Sequence, residues 1–285
     1  MKITELLKKK MTLSFEVFPP KDAVSMDRVL DSLSHLYQFK PDFISCTYGA
    51  GGSGAVRNID LCNVIQKSKN LVMPHFTCID SSKEQILSLA SKYVDMGIEN
   101  VLALRGDFPA GRDNTGGDFS HADELLGFLS PQFPQLCFAA AAYPEKHILA
   151  PSIEADINHL RSKQDKGAQF IMSQLCYDVS AYDRFMERIH KTGITIPLVA
   201  GIMPVFAVEP TMRMTLFNGC SIPAELAAIM GKYQNDPESF TKAGMDYTVD
   251  LIHRFISQGI NGLHLYSMNK WKKLTQILKA AGISN

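Results

Sequence analysis

The chain has 285 residues, of which 46% are hydrophobic and 20% are charged, a balance typical of a globular protein with a large core. Lys plus Arg equals Asp plus Glu at 29 each, so net charge gives no reason to expect nucleic acid or an anionic membrane as a partner. No apolar run reaches the about 18 residues of a membrane span, and residues 1–10 lack the apolar segment of a secretory signal. We therefore expect a cytoplasmic protein.

Short apolar runs rich in β-forming residues recur eight times, and most of them begin about 30 residues apart, the length of a βαβ unit. Amphipathic segments with helical spacing separate most of them, as in residues 82–96. Near-continuous apolar strands are typical of a parallel sheet covered on both faces. The eight candidate strands are residues 13–18, 43–47, 72–78, 101–104, 136–142, 170–174, 196–203 and 263–266.

The pattern predicts an α/β protein, a single (β/α)8 TIM barrel in which residues 1–285 form one catalytic domain. The interval between the last two candidate strands is about twice as long as the others. We expect an extra helix in residues 210–233, before a final barrel helix at residues 237–258. No linker rich in Pro, Gly or Ser divides the chain.

An open, doubly wound sheet is the structural alternative, because GAGGSG at residues 49–54 follows a candidate strand and satisfies G-x-G-x-x-G. A dinucleotide fingerprint also needs an acidic residue about 20 positions further on, and none occurs between Asp60 and Asp80. We interpret this loop as backbone that a ligand can approach closely.

Polar residues close most of the candidate strands, which is where the active site of an eight-stranded barrel lies. Glu16 sits in an apolar run that predicts a desolvated carboxyl group suited to proton donation, although an ion pair with Lys21 is the alternative. There is no G-x-S-x-G motif for a serine nucleophile, so hydride or electron chemistry on a bound cofactor is favoured. The strand-end residues are Glu16, Thr47, His75, Arg105, Asp107, Tyr143, His147, Gln174 and Tyr266.

Three further features have more than one interpretation. Arg105 and Asp107 flank a glycine, which suits a bound ring with polar edges or a surface turn with a weak ion pair. Lys163 lies seven residues after Asp156, on the same helical face, as cofactor anchors or a solvated charge stripe would. His75 and His147 lack zinc-type spacing, so no metal is expected. We expect buried, reduced thiols at Cys46, Cys62, Cys78, Cys137, Cys176 and Cys220.

Six motifs carry a resemblance to a known family. They are SFEVFPPK (14–21), TYGA (47–50), PHFTCID (74–80), ALRGD (103–107), AAYPEKH (141–147) and GIMP (201–204). In this order they resemble the methylenetetrahydrofolate reductases, and the likeness runs from residue 10 to about residue 270. The resemblance implies FAD at the mouth of the barrel, reduced by NADH or NADPH. In this ping-pong cycle FAD then passes hydride to 5,10-methylenetetrahydrofolate, which yields 5-methyltetrahydrofolate for one-carbon metabolism.

The resemblance also implies roles for individual residues. Glu16 is the expected general acid that helps to open the imidazolidine ring, and Asp107 is the expected aspartate beside the flavin. Expected flavin contacts are Thr47, Tyr48, Ala50, His75, Arg105, Gly106, Asp107, Tyr143, His147, Ala150, Asp156 and Lys163, with Phe119 and His159 as further flavin-lining positions. Expected substrate contacts are Gln174, Tyr266 and Lys270, the last through the anionic glutamate of the folate.

One departure from the family pattern leaves the electron donor open. Val208 stands where relatives place an aromatic residue, and Phe206 lies two residues earlier. Either Phe206 replaces that ring, or stacking is weaker and electrons come from a partner iron–sulfur or flavin protein. A flavin-free barrel that binds folate is a further alternative. The resemblance implies a homo-oligomer, and we expect no appended regulatory domain because the chain ends shortly after the barrel.

Overall fold

Eight parallel strands close into a barrel in the computed structural model, which describes residues 1–19, 23–48, 54–108, 111 and 116–283, without the side chains of 23–25 and 54–56. Each strand pairs with the next, and the last strand pairs with the first. The predicted TIM barrel is confirmed, and each strand ends within two residues of its predicted bounds. The strands are β1 (Thr12–Val17), β2 (Phe43–Cys46), β3 (Val72–Thr77), β4 (Asn100–Leu104), β5 (Cys137–Ala142), β6 (Ala168–Ser173), β7 (Leu198–Ile202) and β8 (Gly262–Tyr266).

Helices surround the barrel, and none of those in the described ranges is both long enough and apolar enough to cross a membrane. They are α1 (Ile3–Leu7), α2 (Ala23–Leu36), α3 (Gly54–Lys67), α4 (Lys83–Asp95), α5 (Ala122–Leu129), α6 (Ile153–Asp165), α7 (Val179–Lys191), α8 (Val208–Asn218), α9 (Ala224–Lys232), α10 (Pro237–Ser257) and α11 (Trp271–Ala280), with a 3₁₀ turn at Tyr37–Phe39.

The long interval between β7 and β8 holds the predicted final barrel helix and extra helix. α10 packs against both α7 and α11, as a barrel helix does, and Asp236 caps it by accepting a hydrogen bond from Ser239 N at 3.1 Å. The extra segment is two helices, α8 and α9. Gly219 separates them because it ends α8 in the left-handed conformation, at φ 66°.

Alternation along the strands divides the core into two layers. Phe43, Met73 and Phe170 fill the barrel interior, while their sequence neighbours pack outward against the helices. The short helix α1 closes the N-terminal end of the barrel, where Ile3 N donates to Asn100 Oδ1 at 2.8 Å. The opposite end, where the strands finish, is left for the polar residues.

Candidate functional site

A cavity of about 1610 Å³ opens at the C-terminal ends of the strands. It is larger than the about 300–1,000 Å³ usual for small-ligand sites, and so has room for a cofactor and a substrate. Most of the predicted site residues share its wall: Glu16, Thr47, Tyr48, His75, Arg105, Gly106, Asp107, Tyr143, His147, Ala150, Asp156, His159, Lys163, Gln174 and Tyr266.

Glu16 lies near the end of β1 and is only 7% exposed. Its backbone carbonyl accepts hydrogen bonds from Ser267 Oγ at 2.5 Å and from Ser267 N at 3.2 Å, which fixes the strand end beside β8. Its carboxylate Oε2 lies 3.3 Å from His75 Nε2 on β3. The alternative partner, Lys21, lies outside the described residues.

Two buried polar atoms at this end of the cavity lack a hydrogen-bond partner in the described part of the chain. They are Thr47 Oγ1 and His75 Nε2, whose contact with Glu16 is close but not oriented as a hydrogen bond. A buried polar group without a partner costs about 1–3 kcal/mol, so both atoms favour a ligand with polar edges at this point. The flavin ring of FAD has such edges, and these residues fit it.

His264 on β8 forms the floor beneath Glu16. The ring is fully buried, with Nδ1 at 2.8 Å from Ser14 Oγ and Nε2 at 3.3 Å from Ser45 Oγ. Burial, and to a smaller extent the nearby His75, lowers the pKa of His264 to about 3. The imidazole is therefore neutral and holds the strand ends through its two serine contacts.

The β5 end and α6 form a second polar wall. Lys163 Nζ donates to Ala141 O at 2.9 Å and lies 5.8 Å from the ring centre of Tyr143, and removal from bulk water lowers the Lys163 pKa. Asp156 Oδ2 accepts a hydrogen bond from His147 N at 2.8 Å. Burial raises the pKa of Tyr143 to about 12. This wall offers an ammonium group and an aromatic face to one ligand.

Arg105, Gly106 and Asp107 follow β4 at the cavity rim. Arg105 Nε donates to Gly106 O at 3.1 Å, and the guanidinium lies 4.3 Å from the ring centre of Phe108. Gly106 has φ 94°, and a side chain there would come within 2.7 Å of Ile79. Asp107 is exposed, so its negative charge faces the opening.

Gln174, which follows β6, and Tyr266, at the end of β8, meet at the cavity wall. Tyr266 Oη donates to Ser173 O at 3.1 Å and lies 3.4 Å from Gln174 Oε1. Gly201 on β7 makes room for this contact, because an added Cβ would lie 2.7 Å from Tyr266 Oη and 2.3 Å from Ser173 O. The side-chain amide of Gln174 is thereby oriented at the cavity wall.

Residues 2–282 match the family model described as Methylenetetrahydrofolate reductase. The chain belongs to the methylenetetrahydrofolate reductase family. This confirms the resemblance carried by the six motifs, and with it the expectation of an oxidoreductase of that family.

Two relatives and one solved structure define how far the likeness extends. The chain is 31% identical over 278 residues to 5,10-methylenetetrahydrofolate reductase of Pectobacterium carotovorum subsp. carotovorum, covering 97% of this chain and 92% of that protein. It is 31% identical over 293 residues to Methylenetetrahydrofolate reductase 1 of Schizosaccharomyces pombe, covering 99% of this chain but 49%, about half, of that protein. A Clostridium thermocellum protein, described as binding two copies of 5-methyl-5,6,7,8-tetrahydrofolic acid, aligns with TM-score 0.67. Its 14% identity, over 97% of this chain and 95% of that one, shows a shared fold alone.

Three residues expected from the methylenetetrahydrofolate reductase motifs lie elsewhere or outside the described residues. Phe119 is 3% exposed and packs against Phe128 at 5.3 Å between ring centres, in the core rather than at the cavity. Lys270 precedes α11, where its Nζ lies 5.8 Å from the ring centre of Phe206. Phe206 is 6% exposed and is not among the residues that line the cavity. Ala50, with most of the glycine-rich loop, lies outside the described residues.

Two kinds of site residue in this methylenetetrahydrofolate reductase family member were missed from the sequence. His264, Ser14 and Ser45 lie two positions before the predicted site residues Tyr266, Glu16 and Thr47. Side chains two positions apart on a strand point to the same face, so this alternation would have placed all three on the same side of the barrel wall as the predicted residues. Leu149 and Phe217 line the cavity mouth from a loop and a helix, where no strand-end rule applies. In the described residues no group of three or more His, Cys, Asp or Glu is arranged to hold a metal.

Proposed function

We propose that this protein reduces 5,10-methylenetetrahydrofolate to 5-methyltetrahydrofolate, using FAD as cofactor and NADH or NADPH as electron donor. The observation that supports it most is the almost buried Glu16 carboxylate beside two unpartnered polar atoms, on Thr47 and His75, at the base of a large cavity. This combination supplies a proton donor next to a place for a polar-edged ring. Bound FAD supplies a ring that accepts hydride from nicotinamide and gives it to a carbon electrophile.

The FAD would be held by the cavity wall from β2 to α6. Thr47 and His75 offer polar atoms to the ring edge, Tyr143 offers an aromatic face, and Lys163 offers an ammonium group to the anionic part of the cofactor. The remaining proposed contacts are Tyr48, Arg105, Gly106, His147, Ala150, Asp156 and His159.

Glu16 is the proposed general acid of the folate step. Protonated at a carboxylate oxygen, it would donate to the imidazolidine nitrogen of the substrate and favour opening of the ring to a reactive iminium. The low exposure of Glu16 keeps water from competing for that proton. Asp107 would stabilise the positive charge of the iminium from the rim.

Gln174 and Tyr266 are the proposed folate contacts inside the cavity, since both line it and their side chains lie 3.4 Å apart. Lys270 is the proposed contact for the anionic glutamate of the folate. Its position before α11, two residues after the cavity-lining Met268, suits a contact outside the ring pocket.

Anaerobic stopped-flow recording of the visible flavin band tests the proposal. The purified protein is mixed first with NADH and then with 5,10-methylenetetrahydrofolate, and bleaching followed by recovery is expected. A yellow protein that ignores both NADH and NADPH, but is reoxidised by the folate after chemical reduction, would replace the free donor with a redox partner protein. A colourless protein that takes up no added FAD would replace reduction with folate binding.

The same proposal includes a homo-oligomer in the cytoplasm, and light scattering tests the assembly.

A further inference from the structure

Large apolar side chains are exposed around one side of the cavity mouth. Of the eight exposed large hydrophobic residues in the described ranges, five lie on the β5–α6 loop and on α8: Ile148, Leu149, Met212, Leu216 and Phe217. Leu149 is 61% exposed and Phe217 is 62% exposed, and both line the cavity. Apolar surface exposed at the rim of a cavity is a sign of a binding surface.

A carboxylate joins the two segments that carry these side chains. Glu145, in the β5–α6 loop, accepts a hydrogen bond at Oε2 from Ser221 N, just beyond α8, at 2.9 Å. Its Oε1 lies 3.8 Å from Cys176 Sγ. Ile148 packs over Gly219, where an added Cβ would lie 3.5 Å from Ile148 Cβ. The loop and the end of α8 therefore form one continuous wall.

The loop is also held rigidly from within. Lys146 has φ 88°, a backbone conformation that is strained for a residue other than glycine. Its Nζ donates to Ala150 O at 2.6 Å and to His147 O at 3.1 Å, which bridges the loop. Strain of this kind persists where the surroundings fix the backbone, and it concentrates at ligand sites. Leu149 is thus presented to the cavity mouth by a fixed backbone.

The wall extends from the proposed FAD contacts His147 and Ala150, which flank Leu149, to the segment that follows the proposed folate contact Gln174. Cys220 Sγ, just after α8, contacts Leu175 O at 3.1 Å, and Leu175 follows Gln174 directly. Phe217 lies three residues before Cys220 and lines the same cavity as Gln174. A flat ring system that reaches Gln174 through this mouth would pass along Phe217 and Leu149.

We propose that Leu149 and Phe217 form an apolar clasp over the flat pterin and benzoyl rings of the folate, with Glu145 as the positioning residue. The clasp would bury exposed apolar surface against the ligand and help to exclude water from the reacting carbon. This inference rests on the proposed function, because it assigns residues to the same substrate. It adds a determinant of folate affinity that lies on α8 and the β5–α6 loop rather than on a strand end.

A matched pair of variants tests the clasp. Phe217→Ala removes the ring at the mouth, while Leu216→Ala removes the neighbouring side chain, which is 72% exposed and does not line the cavity. The dissociation constant of 5-methyltetrahydrofolate is measured by titration calorimetry on the flavin-loaded protein. Phe217→Ala should weaken binding about tenfold, the loss expected for one aromatic contact, and Leu216→Ala by less than about twofold.

Glu145 gives a second measurement that separates positioning from general damage. Glu145→Ala removes the acceptor for Ser221 N and should weaken folate binding by about the same factor as Phe217→Ala. Glu145→Gln keeps an acceptor oxygen and should restore binding to within about threefold of the parent. Equal losses in both Glu145 variants would contradict the positioning role.

Other outcomes would overturn the clasp itself. They are unchanged folate affinity in Phe217→Ala, an equal loss in Leu216→Ala, or a loss confined to NADH binding. A change of mass in light scattering on Phe217→Ala would assign the surface to a second copy of the chain. A parent protein that binds no 5-methyltetrahydrofolate overturns the proposed function together with the clasp, whereas binding by the parent with no effect of Phe217→Ala overturns the clasp alone.

Discussion

Glu16 Oε2 and His75 Nε2 lie 3.3 Å apart at the mouth of the barrel, with side chains only 9% and 12% exposed, yet their orientation makes no hydrogen bond. A hydrogen bond between the Glu16 carboxylate and the His75 imidazole would compete with ligands for both side chains. The observed arrangement leaves the carboxylate able to exchange a proton with a substrate and the imidazole able to bind a second ligand. These separate tasks allow the two half-reactions of the proposed function to be tested independently.

Glu16→Gln should lower the rate of the folate half-reaction at least about 100-fold, because general acid catalysis contributes about 10²–10⁴-fold. Reduction of the flavin by the nicotinamide donor should stay within about twofold of the parent, since that step needs no proton from Glu16. Stopped-flow traces of each half-reaction measure both rates. Glu84→Gln, which alters an exposed carboxylate in the same cavity wall, is the control. Equal losses in both half-reactions would rule out the assigned role of Glu16.

Asp107→Asn should raise the reduction potential of the bound flavin, because a nearby negative charge disfavours the electron-rich reduced ring. We expect a rise of roughly 30 mV, equivalent to about 1.4 kcal/mol for a two-electron couple, together with a slower folate half-reaction. A redox-dye titration measures the potential. Asp95→Asn alters an exposed carboxylate on α4 outside the cavity and should leave the potential unchanged. Identical potentials in the parent and Asp107→Asn would contradict its placement beside the ring.

The barrel and much of its polar rim could be predicted because both depend on local sequence. Apolar runs with β-forming residues give strands such as β5, and the polar residue that ends a strand, such as Tyr143, falls at the same end of a parallel barrel. Motif likeness then selected residues within helices, such as Asp156 and Lys163, that strand ends alone do not identify.

The remaining site residues could not be predicted, because their positions depend on strand register and side-chain packing, which local sequence patterns do not determine. His264 sits within an apolar run, and only the pairing of β8 with β1 brings its ring to Ser14. The family resemblance implied a flavin-lining position for Phe119, but its ring is 3% exposed and packs in the core against Phe128. Phe217 lies on a helix, and the sequence of that helix does not show that the side chain lines the cavity.

Lys163→Met should weaken FAD binding about tenfold or more, because a charge-assisted hydrogen bond contributes about 1.5–3 kcal/mol. Methionine keeps most of the length of the side chain but not the hydrogen bond to Ala141 O, so the melting temperature of the flavin-free protein is measured in parallel to separate lost stability from lost FAD affinity. Fluorescence of released FAD measures the affinity. Lys191→Met, which alters an exposed lysine on α7, is the control. An unchanged FAD affinity in Lys163→Met would assign Lys163 to its contact with Ala141 O alone.

The buried His264 predicts a specific loss of stability in acid. Its pKa is lowered to about 3 in the folded protein, against 6.5 for an unperturbed histidine. Between about pH 6.5 and about pH 3, His264 binds a proton in the unfolded chain but stays neutral in the folded chain. The stabilisation is therefore complete above about pH 6.5 and is lost as pH falls toward about 3, at about 1.4 kcal/mol for each pH unit.

Urea unfolding between about pH 7 and about pH 5 measures this slope in the parent and in His264→Asn. Asparagine removes the titrating group and keeps a side chain able to hydrogen-bond Ser14 or Ser45, so the dependence of unfolding free energy on pH should become shallower by about 1.4 kcal/mol per unit below pH 6.5. The slope is informative even if the variant is less stable at every pH. His190→Asn, at an exposed position in the last turn of α7, should keep the parental slope. Because the other acid-sensitive groups are common to all three proteins, an unchanged slope in His264→Asn would mean that His264 is not neutral in the fold.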